Sequence, residues 1–134
     1  MLDTHGALIY TMVIVSAADA SVPEAELQMI GDMIGHLPVF RGFDRKAVPR
    51  VLDGCTKALA RDGGLEATLN EISAALPPKL HETAYAIACD LVAADGEASQ
   101  EEIRLLNLIR ERLDIDRLIA FAIERGARAR FQTL

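Results

Sequence analysis

Two carboxylates recur at one spacing in two places along the chain: Asp19 with Glu26, and Asp95 with Glu102, seven residues apart in each case. An aspartate at a turn, followed by a glutamate on the first turn of the next helix, has two chemical uses. It can accept hydrogen bonds from free backbone amides and place negative charge at the positive end of a helix. It can also offer oxygen ligands to a hard divalent cation, with water completing the shell. Calcium, magnesium, manganese or zinc would be the candidate ion, and two carboxylates per turn alone would bind it weakly.

The two pairs belong to longer segments that look alike. Ala17-Ala18-Asp19-Ala20-Ser21-Val22-Pro23-Glu24-Ala25-Glu26-Leu27 aligns with Ala93-Ala94-Asp95-Gly96-Glu97-Ala98-Ser99-Gln100-Glu101-Glu102-Ile103 at a constant offset, since 95 − 19 and 102 − 26 both give 76. The offset extends outward to His5 with His81 and to Leu37 with Leu113. An apolar helix precedes each acidic turn and an amphipathic helix follows it, so one helix-turn-helix unit is used twice. The second copy also resembles the latter half of an EF-hand loop, with Asp95, Gly96 and Glu102 at positions five, six and twelve. Positions one and three would then be Leu91 and Ala93, or Val15 and Ala17 in the first copy, and none of these has an oxygen-bearing side chain. An EF-hand is excluded.

His5 and His81 each stand fourteen residues before their aspartate, about 21 Å along a continuous helix, so neither can join the site of its own half. Antiparallel central helices would bring His5 toward Asp95 and His81 toward Asp19. The plainer expectation is that both are solvated groups at helix starts, and that His36 is a helix-end residue favoured by the dipole.

Helices must position these groups. Half of the 134 residues are apolar but only 4% are aromatic, so the core is built from Ala, Leu, Ile, Val and Met. That composition suits close helix packing, and strand signals are nearly absent. The first helix is expected over about Thr4 to Ala18, apolar almost all round. A second opens near Val22-Pro23-Glu24 and carries Leu27, Ile30, Met33, Ile34 and Leu37. After a loop from Pro38 to Phe43, Asp44 caps a short turn and Pro49 places the main helix over about Val48 to Ala60. Asp62-Gly63-Gly64 is a stop, and Leu65, Leu69, Ile72 and Leu76 mark the next helix, ended by Pro77-Pro78. A second apolar helix spans about Lys79 to Ala94. Ser99 and Glu102 form a capping box for the helix carrying Ile103, Leu106, Ile109 and Leu113. The last helix starts near Asp116, with Leu118, Ile119, Ala122 and Ile123 as its apolar set. The result is an all-α single domain over 1–134 of about seven helices with a pseudo-twofold repeat, its halves 5–37 and 81–113 linked by helices in 44–76.

The doubled signature, an apolar helix ending in Ala94-Asp95-Gly96 with Glu102 seven residues after the aspartate, resembles the TerB-like family, which includes tellurite-resistance TerB and the helical domain of the membrane-anchored co-chaperone DjlA. The likeness runs from His5 to Ile123. It implies a compact helical fold with two central helices, an acidic cluster proposed as a metal site, and stress or tellurite-response roles through protein partners. Carried over by position, Asp19, Glu26, Asp95 and Glu102 are the matching acids, and Ala20 departs from the glycine of the pattern. No His-Pro-Asp tripeptide occurs, so J-domain activity is not implied.

The formal charge of −6 sets a repulsive field against phosphate backbones, so nucleic acid is not an expected partner. A protein partner is expected, with homodimerisation left open. The run from Ala7 to Ala18 is too short to cross a bilayer and the N-terminus lacks the basic residues of a signal peptide, so a cytoplasmic location is expected. The basic stretch Glu124 to Arg130 reads as cations at a helix end, with an acidic partner or a peripheral membrane surface as the alternative. Cys55 and Cys89 read as reduced packing residues. No nucleophile motif or phosphate-cradling loop is present, so the chain is expected to be no enzyme. The alternatives are a purely structural scaffold and a metal-dependent hydrolase working through the same acids.

Overall fold

A run of apolar side chains with no polar stripe can be stable as a helix only where other elements cover it on every side. The segment from Thr4 to Ser16 is such a run. In the computed structural model, which describes residues 1–18, 24–94, 96 and 98–134, it forms α1, in which Leu8, Ile9 and Met12 are fully buried. Asp3 starts it, its carboxylate accepting from the Gly6 amide at 2.7 Å. The second such run forms α5 (His81–Ala94), with Ala84, Tyr85, Ala88 and Leu91 buried.

The other five helices cover these two. They are α2 (Glu24–His36), α3 (Val48–Ala60), α4 (Gly64–Ala75), α6 (Gln100–Arg112) and α7 (Arg117–Arg130). Packed on α1 are α2 to α6, and packed on α5 are α1, α2, α6 and α7. Among the described residues there are seven α-helices, three short 3₁₀ turns (Pro38–Phe40, Arg45–Ala47 and Pro78–Leu80) and no strand. The buried apolar residues form one cluster. No helix among the described residues is long and apolar enough to cross a membrane.

The boundaries follow from local chemistry. Asp44 caps the turn before α3, accepting from the Lys46 amide at 3.0 Å, and Pro49 sits in the first turn of α3, where its missing N–H costs no helical bond. Between α3 and α4 the chain turns on Gly63, at φ +67, and Gly64 packs against the end of α3 with its amide donating to the Arg61 carbonyl at 2.9 Å. The repeat is reproduced in the helix ends: adding 76 to the bounds of α2 gives those of α6.

The last helix differs from its sequence reading. Leu118, Ile119 and Ala122 point to solvent, and Ile123 is only partly buried. The inner face of α7 is instead Ala120, Glu124 and Ala127, and the two small alanines let it lie close on α5. Two polar ties hold that orientation. The Tyr85 hydroxyl donates to Glu124 Oε2 at 2.6 Å, and Arg130 Nη2 donates to Asp90 Oδ1 at 2.5 Å.

Candidate functional site

The second acidic turn is built by glycine and serine. Gly96 sits at φ +85, a left-handed conformation that glycine adopts without a Cβ penalty, and its amide closes on the Ala93 carbonyl at 3.0 Å. Ser99 then caps α6. The Glu102 amide donates to Ser99 Oγ at 3.1 Å and the Ser99 amide donates to Glu102 Oε1 at 2.9 Å, the reciprocal capping box read from the sequence. A cap of this kind contributes about 1 kcal/mol. It also fixes the carboxylate: Glu102 is only 6% exposed.

Glu26 occupies the equivalent place in the first copy, on the first turn of α2, and is 7% exposed. The position matching Ser99 is Pro23, which has neither a hydroxyl nor an N–H, so the reciprocal box cannot form there. Asp19 and Asp95, the other two acids read from the sequence, lie outside the described residues. Among the described residues no group of three or more His, Cys, Asp and Glu side chains could hold a metal ion.

His5 and His81 are half-buried and held by backbone rather than left to solvent. His5 Nε2 lies 2.8 Å from the Val39 carbonyl, and its ring stacks on Phe40 and tilts against Phe43. His81 places Nδ1 3.0 Å from the Leu113 carbonyl and Nε2 3.1 Å from the Leu76 carbonyl. In both halves the ring at the start of a central helix therefore meets the backbone just past the end of the helix that follows the acidic turn. This closes each helix-turn-helix unit as a hairpin.

The family model for tellurite resistance protein TerB matches residues 5–121. The chain belongs to the TerB family. No curated protein and no solved structure matches it.

In this TerB-family chain a cleft of about 400 Å³ opens beside the second turn, lined by Tyr85, Cys89, Leu106, Glu124, Arg128 and Phe131 among others. Sequence reading did not find it. Tyr85 and Glu124 are 39 positions apart, and nothing in the local periodicity of either helix marks them as partners. Burial, reinforced by the bond to Glu124, pushes the Tyr85 hydroxyl above its ordinary range, so it acts there as a donor.

Both thiols are buried, which favours their neutral form. Burial pushes Cys55 up to about 12 from an ordinary 9.0. Cys89 is also pushed up to about 12, by burial and by the negative charge of Glu124 and Asp90 against the opposing effect of its contact with Tyr85. At pH 8 such thiols react with a disulfide reagent about a thousandfold more slowly than ordinary cysteines from ionisation alone, and unfolding in denaturant releases both. Because the folded-state values are raised, the stability from burying neutral thiols is complete below pH 9 and is lost as the pH climbs toward 12. Alkaline unfolding of a variant with both cysteines replaced by alanine checks this by its weaker dependence over that range.

Proposed function

We propose that this TerB-family chain is a non-enzymatic, cytoplasmic interaction module of the stress or tellurite response, whose acidic turns take a hard divalent cation. The observation that carries the reading is the burial of Glu102 on the first turn of α6, a position that Glu26 matches in the repeat. A buried carboxylate is costly unless hydrogen bonds or a cation compensate it. The donor chemistry fits an oxygen-preferring ion: a carboxylate accepts at about four lone-pair sites, so Glu102 can hold the Ser99 amide on Oε1 and still offer a ligand. In sequence Asp95 stands seven residues before it. Zinc fits less well than calcium, magnesium or manganese, because His5 Nε2 and both ring nitrogens of His81 face backbone carbonyls. The raised thiols support a non-catalytic reading.

A second reading, a structural scaffold without metal, is favoured by the capping box itself, which gives Glu102 a complete role in starting α6. Calorimetry with calcium, magnesium, manganese and zinc separates the two. The metal reading expects binding heat for the wild type and its loss in Asp95→Asn with Glu102→Gln, in a variant that stays helical. Equal heats for the two proteins leave the scaffold reading standing.

A further inference from the structure

The outward turn of α7 puts large apolar side chains in water: Leu118 is 77% exposed, Phe121 62% and Ile119 38%. The same helix carries a net positive charge in a chain that is acidic as a whole. Residues 117–134 hold four arginines against the single acid Glu124, a net of +3 in a chain of −6, which leaves −9 on the remainder. Arg117, Arg125 and Arg128 are exposed, and among the described residues no ion pair engages them. At about 100° per residue, Phe121, Arg125, Leu118 and Ala122 fall on one outward stripe, with Arg117 and Arg128 along its edge. Arg125 and Arg128 lie beyond the residues matched by the family model.

We infer that the outer face of α7 docks on an anionic lipid bilayer. Two features favour lipid over an acidic protein. The face is a convex helix ridge, and its arginines are interspersed with the leucine and phenylalanine, whereas a protein interface concentrates apolar groups at its centre and polar ones at a rim. On a bilayer, Phe121 and Leu118 enter the acyl boundary while the guanidinium stems lie along it and reach lipid phosphates. Repulsion from acids elsewhere in the chain is screened beyond about 8 Å at physiological ionic strength. The bonds from Tyr85 to Glu124 and from Arg130 to Asp90 hold α7 on α5 with this face outward. This inference goes beyond the function proposed above, because α7 holds none of the four acidic-turn carboxylates.

The test is co-sedimentation with vesicles of phosphatidylcholine alone or mixed in equal parts with phosphatidylglycerol, run in EDTA so that divalent-cation binding plays no part. The wild type is expected on the mixed vesicles only, and to be released at about half-molar salt. Arg117→Glu with Arg125→Glu and Arg128→Glu should weaken binding about a hundredfold. Leu118→Ser with Phe121→Ser should weaken it about tenfold at unchanged salt sensitivity. All five side chains are exposed, so the variants keep the wild-type helical circular dichroism. No binding to phosphatidylglycerol, or equal binding by wild type and variants, overturns the inference. So does sedimentation-velocity dimerisation, abolished by the same substitutions, without vesicle binding, because a second copy would then cover the face.

Discussion

Gly64→Ala is expected to lower the stability of the chain by about 3 kcal/mol, at the upper end of what overpacking costs, and the melting temperature by roughly 10 °C. The cause is backbone, not side chain. A Cβ at Gly64 would stand 2.4 Å from the Ala58 carbonyl oxygen and 2.8 Å from that of Leu59. Neither oxygen can move without unwinding the end of α3, and Gly64 opens α4, so the junction between the two helices must shift as a unit. Gly31, inside α2, supplies the opposite sign. A Cβ there meets nothing within 4 Å, so Gly31→Ala should stabilise by about 0.5 to 1 kcal/mol through helix propensity and a less flexible unfolded chain. Thermal denaturation of the two variants side by side decides it, and two changes of the same sign would contradict the packing described for the α3 to α4 turn.

The second large effect lies in the core. Leu8 is fully buried in α1, a helix packed on five others. Leu8→Ala should cost about 3 to 4 kcal/mol, the transfer free energy of the lost methyl groups plus the cavity that α1 cannot collapse to fill. Leu118→Ala, the same chemical change on α7, should stay within about 0.5 kcal/mol because its side chain is already in water. Chemical denaturation with a constant slope for all three proteins measures the difference. Comparable losses at the two positions would mean that α7 packs through its leucine after all.

That pair of leucines also marks where sequence reasoning reached its limit. The two central helices could be read from residues 4–18 and 79–94 because a run that is apolar on every side, and long enough for four helical turns, is stable only when neighbours surround it. The Ser99 and Glu102 capping box and the Asp44 to Pro49 entry were equally readable, since each is decided by groups within a few residues. The fold of α7 was not decided locally. Its periodicity admits an inward face through Leu118, Ile119, Ala122 and Ile123, and what selects the other face is the fit of Ala120 and Ala127 on α5, with Glu124 reaching Tyr85 and Arg130 reaching Asp90. The histidines are a similar case. Their types and equivalence were visible, but the carbonyls they meet, at Val39, Leu113 and Leu76, become neighbours only when the hairpins close.

For the candidate site, residue spacing alone paired each aspartate with its glutamate and related the two halves. The burial of both glutamates was not visible there, because a glutamate on a first helical turn is ordinarily solvated. The same spacing concealed a difference between the halves. Ser99 gives the second copy a reciprocal cap, and Pro23 denies it to the first.

The most direct test of the proposed cation site is anomalous scattering from a crystal of the wild-type chain soaked in manganese. The metal reading predicts a peak between about 2.0 and 2.6 Å from carboxylate oxygens of Asp95 and Glu102, the span of hard-cation contacts. A crystal with both side chains ordered, manganese bound at other surface sites and no peak between these two acids would contradict it.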